Sequence, residues 1–301
     1  MQKNISDCNI GIAGLGLMGG AIAAALREKC GVTQQRLFAC DRDNDSLNTA
    51  MQAGLTGKSF EASRAGEMLS LCDIVFLCLN PSSIPGFLEQ WKDSFKRGCL
   101  ITDIAGTKES IAAAAREFCK YRESASGGYD DNIDFIPGHP MAGAEKSGFS
   151  NSALCNFNGK NYILTPIAPN KPENIEFIKQ LIYQMGFSRI TQVTPAEHDR
   201  KIAFTSQLCH VIAAALIDCE SDTEITRFGG GSFEDLTRIA MLNAPMWTEL
   251  FIENRVSLMD RIDQFEKSLN DLKAMIGRSQ AVELENRLAL VKERRIRMSK
   301  R

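Results

Sequence analysis

At 301 residues, 44% apolar and 24% charged, the chain has the profile of a soluble globular protein, which excludes disordered and fibrous architectures. That length exceeds what one hydrophobic core usually fills, so two domains are expected. Thirty-five Lys and Arg against 37 Asp and Glu leave a net charge of −2, so no overall field selects nucleic acid or a membrane surface.

The longest purely apolar runs are about the length of residues 74–79, far short of the roughly 20 that span a bilayer. The polar start has no signal-peptide core, so the expected location is cytoplasmic. Ten cysteines are scattered from Cys8 to Cys219 with no CxxC pair and few acidic or His neighbours at ligand spacing. They read as reduced core thiols, with no metal centre.

From residue 9 to about 193, short apolar runs alternate with longer segments of helical period, the pattern of parallel βαβ units. Strands are expected over 9–13, 36–40, 73–79, 99–103, 134–137 and 161–165, and helices over 19–29, 45–53, 84–95, 108–121 and 172–185. The polar stretch 122–134 reads as a surface loop. Beyond 193 the strand signals stop, and Thr194-Pro195-Ala196-Glu197 forms a capping box that announces a helix. The expected domains are therefore 1–193 and an all-α 194–301. Leu258, Ile262, Phe265, Leu269, Leu272 and Ile276 form an apolar seam on one helix expected over 245–276. A seam of that length needs a partner, either another helix of the same chain or, as the favoured reading, the same helix in a second subunit.

Directly after the first expected strand stands Gly14-Leu15-Gly16-Leu17-Met18-Gly19, followed by a helical run. Gly14 permits a tight turn, Gly16 lets the backbone approach a pyrophosphate, and Gly19 lets the helix pack closely on the strand. The second strand ends at Asp41, 22 residues after Gly19, where a carboxylate can accept from both ribose hydroxyls. It would repel a 2′-phosphate, which favours NAD over NADP, although the adjacent Arg42 tempers that preference. The fold class is thus an α/β Rossmann-type parallel-sheet domain followed by an all-α helical domain. The end of the strand over 73–79, with Leu79, Asn80 and Pro81, is expected to pass beneath the nicotinamide half of the cofactor.

The chain has three histidines. His139, crowded by Gly138 and Pro140 in an expected loop, is a natural base for an alcohol proton, although a structural loop His is an equal reading. His210 lies with Ser206 and Gln207 in a polar patch on an otherwise apolar helix, which suggests a substrate-facing surface. His198, in a first helical turn, reads as structural. Within GGGSFEDLTRIA, Arg238 falls near the middle of a short helix, where it can grip a carboxylate or pair with Asp235 or Glu234. The basic end KERRIRMSKR reads as a solvated helix end.

GIAGLGLMGGAIA, LITDIAGTKESI, GHPMAGAEKSGF, HDRKIAFTSQLCH and GGGSFEDLTRIAMLNAPMWTELFIENR together resemble the prephenate dehydrogenase family, which includes arogenate and cyclohexadienyl dehydrogenases. The resemblance implies NAD-dependent oxidative decarboxylation of prephenate, or of arogenate, in tyrosine biosynthesis. It implies His139 as the catalytic base, Arg238 as the group on a substrate carboxylate, and His210 and Trp247 as pocket walls. It also implies Glu145 and Asp235 as acidic partners of that Arg, one of them across a homodimer. Two departures stand out. Gly106 replaces a Ser common in relatives, whose hydroxyl is then missing or supplied by Thr107. Gln207 and Cys209 replace the first His and the Pro of an S-H-L-P-H pattern. Another NAD-linked dehydrogenase would call for a catalytic Lys near His210, where none is found, and a non-catalytic NAD sensor would bind without turnover.

Overall fold

The structure is a computed structural model that describes residues 4–125, 132–143 and 146–299. Its elements run β1 (Ile10–Ala13), α1 (Leu17–Glu28), β2 (Leu37–Asp41), α2 (Asn44–Gln52), β3 (Lys58–Glu61), α3 (Ala65–Leu69), β4 (Ile74–Leu77), α4 (Ser83–Trp91), β5 (Leu100–Asp103) and α5 (Glu109–Ala125). Then come β6 (Asp134–Phe135), β7 (Gly138–Pro140), β8 (Asn161–Leu164), α6 (Pro172–Gln184) and β9 (Arg189–Gln192). Six helices follow: α7 (Pro195–Ile202), α8 (Leu208–Asp218), α9 (Gly231–Thr237), α10 (Ala244–Glu253), α11 (Arg255–Gly277) and α12 (Ala281–Ser299).

Six strands form a parallel sheet in the order β3-β2-β1-β4-β5-β6. The central strands are buried on both faces, as parallel strands must be when helices cover each side. Alternation still sorts their residues: Ile10, Ile12, Ile74 and Phe76 join one core, and Ala13, Val75 and Leu77 join the other. The strand order reverses at the β1/β4 boundary, so a crevice opens outside the carboxyl ends of those strands. Six of the ten cysteines are buried.

A second sheet, β7-β8-β9, pairs β7 antiparallel and β9 parallel to β8. It places His139 in a strand, opposite Ile163, and not in the loop expected from the Gly and Pro around it. Ile136 still bonds the first sheet through its N–H, whereas the Pro137 carbonyl accepts from Thr165 of the second. The chain therefore changes sheets at a residue that lacks an N–H to continue the ladder. Besides β7, two further strands fall outside the expected ones. Both β3 and β9 are edge strands, and β3 has a single buried apolar residue, Phe60. Helix α5 extends to Ala125, beyond the expected loop start, and 126–131 lie outside the described residues.

By packing the chain divides into Met1–Asn254 and Arg255–Arg301. The first helices beyond residue 193 are joined to the sheet by Asp199, whose carboxylate accepts from the Lys108 and Glu109 N–H groups at the start of α5. Helices α7 and α8, joined by a π-turn over Ala203–Gln207, make one continuous stretch from Pro195 to Asp218. It is long and apolar enough by composition to cross a membrane, yet it buries His198 and Asp199 inside this unit. The single helix expected over 245–276 is two. Asn254 leaves helical geometry (φ −104°, ψ 23°) while its side chain bonds Asp199 and Gln207, interrupting the helix between α10 and α11. In the second unit α11 and α12 are linked by Arg287 and Asp271, 3.1 Å apart.

Helix α1 lies against β1 because position 19 is glycine: a Cβ there would collide with the Gly14 carbonyl oxygen, which is backbone and cannot swing away. Gly19→Ala should lower the thermal midpoint markedly. Gly16→Ala, where a Cβ would meet no atom within 4 Å, should leave the midpoint close to wild type while weakening NAD binding; paired thermal melts and NAD titrations check both.

Candidate active site

At the carboxyl end of β1, Gly14 adopts φ 94°, and a side chain there would strike the Cys78 carbonyl oxygen. Gly16 is the N-cap of α1 and receives no side-chain bond, so the first amides of a 12-residue helix are left for an anion over open space. Leu15 is buried, and its N–H donates to Asp41 Oδ2, while Asp41 Oδ1 accepts from Asp43 N–H at 2.8 Å. Both oxygens are thereby fixed at the end of β2, with lone pairs left for ribose hydroxyls; Arg42 beside it is exposed. Leu17 and Met18 open α1, and the Met18 sulfur lies 3.7 Å from Cys155 Sγ. Leu79 borders the Gly14 turn, followed by exposed Asn80 and buried Pro81. These residues fit a dinucleotide: a cradle too tight for side chains, a free helix terminus, and an anchored carboxylate.

Beyond the end of β5 lies a chain of polar groups, with His198 and Asp199 buried and His139 half-buried. His139 Nδ1 is 2.9 Å from His198 Nε2, and His198 Nδ1 is 2.7 Å from Asp199 Oδ1. A carboxylate only accepts, so His198 donates from Nδ1, and its neutral ring presents a bare Nε2. His139 must then donate from Nδ1, which leaves its own Nε2 unprotonated. The geometry thus sets both tautomers and produces a base at His139 Nε2. Burial, helped by His198 and Lys108, holds His139 well below its ordinary pKa of 6.5. Burial lowers His198 too, against the opposing pull of Asp199.

Lys108, at the entrance to α5, is fully buried and paired with Asp103 at the end of β5. Burial pulls the ammonium below its usual pKa, and the Asp103 carboxylate opposes that pull. Asp103 also accepts from Ala105 N–H at 2.8 Å and Gly138 N–H at 3.1 Å, so it ties β7, and with it His139, to the first sheet. Position 138 must be glycine for this approach, since a Cβ there would lie 2.6 Å from the Tyr162 ring.

The residues expected to face a substrate come from helices. His210 Nδ1 donates to the Ser206 carbonyl at 2.9 Å, and its ring lies 3.7 Å, centroid to centroid, from Trp247 on α10. Leu250 on α10 covers Gly106: a Cβ at 106 would lie 2.9 Å from Leu250 Cδ2. The buried Thr107 hydroxyl has no hydrogen-bond partner among the described residues; the partner of His139 Nδ1 is His198. Asp235 is exposed on α9, and Arg238 opens a 3-10 turn directly after that helix instead of sitting within it. Glu145 lies outside the described residues.

His198, Asp199, Asp103 and Lys108 were not singled out as site residues by sequence reasoning. The available signal was the pair His198-Asp199 directly after a capping box: a His beside a carboxylate at the start of a helix is positioned to be oriented by it.

Residues 22–191 match the prephenate dehydrogenase nucleotide-binding domain, and residues 194–290 match the prephenate dehydrogenase dimerization domain. The prephenate dehydrogenase of Bacillus subtilis (strain 168) is 26% identical over 279 residues, covering 91% of this chain and 71% of its own. Among solved structures, the A. aeolicus prephenate dehydrogenase in complex with hydroxyphenyl propionate and NAD+ superposes with a TM-score of 0.84 at 28% identity, covering 98% of this chain and 100% of its own. A Synechocystis arogenate dehydrogenase gives 0.76 at 26% identity, over 96% and 99%. Fold and site define an NAD-dependent dehydrogenase. The chain belongs to the prephenate dehydrogenase family.

The Gly106–Leu250 contact has a measurable consequence. Gly106→Ser should destabilise by about 1 kcal/mol, because the Leu250 side chain must give way. In a Leu250→Ala background the same substitution should cost less, and a double-mutant cycle from thermal melts reads that coupling.

Proposed function

We propose that this chain carries out the oxidative decarboxylation of prephenate to 4-hydroxyphenylpyruvate and carbon dioxide, with His139 as the base. The observation that carries the proposal is the His139–His198–Asp199 chain of hydrogen bonds, which leaves His139 Nε2 free to accept a proton. NAD, when bound, accepts the hydride from the carbon bearing the ring hydroxyl. His139 Nε2 takes that hydroxyl's proton, and the resulting imidazolium is stabilised through His198 by the Asp199 carboxylate. The substrate is left as a ring ketone whose carboxylate departs as carbon dioxide; the electron pair of the broken C–C bond aromatises the ring to a phenolate, which takes the proton back from His139 Nε2. Because aromatisation drives the sequence, a weak base is sufficient. The depressed pKa of His139 then serves to keep the base neutral, and ready, below pH 6.5.

In this reading Arg238 holds a substrate carboxylate and has Asp235 and Glu145 as its acidic partners, His210 and Trp247 wall the pocket, and Thr107 lines it. The helices from residue 194 pair two copies of the chain, a role supported by exposed Leu269 and Ile276 on α11 and Leu288 and Val291 on α12. A second reading, in which arogenate is the substrate, is supported by the fit to the Synechocystis arogenate dehydrogenase.

NADH absorbance with prephenate, then with arogenate, tests both. Turnover on prephenate is expected, with the acid limb of kcat/KM below pH 6.5 because only neutral His139 can accept the proton. His139→Asn should lose at least about 100-fold in kcat, the usual worth of a general base. Silence of the wild type on both substrates would reject the function. Arg238→Gln should weaken substrate binding by roughly 1.5 to 3 kcal/mol, seen as a higher KM, and an unchanged KM removes Arg238 from the site.

A further inference from the structure

The interruption between α10 and α11 places a buried amide behind the histidine pair. Asn254 is 5% exposed, and its Nδ2 donates both hydrogens: one to the Asp199 carbonyl at 2.9 Å, the other to Gln207 Oε1 at 2.7 Å. Gln207, 1% exposed, donates from Nε2 to the Leu250 carbonyl at 3.0 Å, and that carbonyl also accepts from Asn254 N–H at 3.3 Å. The circuit closes, and each amide can face only one way. Rotating either would set oxygen against oxygen, at Asp199 for Asn254 and at Leu250 for Gln207.

We propose that Asn254, locked by Gln207, is a positioning residue for the proton-accepting histidine: it fixes the residue whose carboxylate orients His198, and through His198 it fixes His139. The proposal deepens the reading of His139 as a base and rests on it for its kinetic arm. Asp199 is held at two points. Its carboxylate is held by the N–H groups of Lys108 and Glu109, and its carbonyl by Asn254. With the second hold removed, α7 can shift against α5, and water can reach the imidazole pair. Among the described residues, the charged or titratable groups acting on the two rings are Lys108 and Asp103 from the β5–α5 segment, Asp199 from α7, and the rings themselves.

The substitution Asn254→Asp keeps the shape and loses both donors but adds a carboxylate, so a shift supports the proposal only where the uncharged Asn254→Ser shows it too. Asn254→Ser keeps a single donor and gives the same readouts should the Asp variant not fold. Expected for Asn254→Asp is a fall in kcat of roughly 10- to 100-fold, the scale of a misplaced reacting group, with KM for NAD unchanged. The acid limb of kcat/KM should rise toward 6.5 as water relieves the burial that depresses His139. Asn254→Ser should lie between that variant and the wild type. The chain has only three histidines, so the imidazole NMR signals are few, and the titration midpoint of His139 can be followed without substrate. That midpoint should rise in both variants. Unmoved kcat and an unmoved midpoint overturn the proposal, as does a loss of kcat with the midpoint unchanged, which would mark Asn254 as structural only. A wild type inactive on prephenate and arogenate fails the functional reading, whereas the NMR midpoint still decides this one.

Discussion

The site depends on how one carboxylate divides its bonds. Asp199 takes the N–H groups of Lys108 and Glu109, so it caps α5, and one of its oxygens also takes the His198 Nδ1 proton. The first two contacts fix the carboxylate with respect to the large sheet, because α5 follows β5 directly. The third converts that position into a proton inventory for two rings. Structure and chemistry therefore share an atom, and the helices beyond residue 193 are fastened to the sheet by the group that sets the base.

The sheet supplies the other half of the arrangement. Asp41 closes β2 and Asp103 closes β5, both at carboxyl ends. Strand order reverses between them, so the glycine turn after β1 opens toward the same crevice. Asp103 then reaches β7 through Gly138 and Lys108 through an ion pair. A buried ion pair of this kind gains little stability by itself, since desolvation offsets most of the attraction. Its value here is positional, because the fixed ammonium disfavours charge on His139 and keeps that ring a base.

Much of this was legible in the sequence because it rests on local rules. Gly14 and Gly19 stand where the fold leaves no room for a side chain, and Asp41 ends β2 because its distance from them is set by one βαβ unit. The capping box at Thr194 appears as expected, with Thr194 Oγ1 accepting from Glu197 N–H. What was not legible depends on residues far apart in the chain. His198 carries no mark of its partner, because His139 is 59 positions away and the two meet only when β7 leaves the first sheet. The edge strands β3 and β9 escaped because a strand half open to solvent needs no apolar run. The break at Asn254 escaped because the periodicity of the seam runs straight through it; a buried amide outcompetes the pattern.

Gly106 and Gln207, the two departures from the family's pattern, look unrelated in sequence, being 101 positions apart. In the fold they meet at one residue. The Leu250 side chain occupies the space that a side chain at 106 would need, and the Leu250 carbonyl accepts from Gln207 Nε2. A hydroxyl at 106 would displace the leucine, and displacing the leucine would disturb the carbonyl that orients Gln207 and through it Asn254. The missing serine and the missing histidine are thus two ends of one local repacking around α10. Because His198 already occupies His139 Nδ1, that repacking removes no bond from the base. Neither position supplies a group to the His139–His198–Asp199 hydrogen bonds, so both departures leave that chain intact.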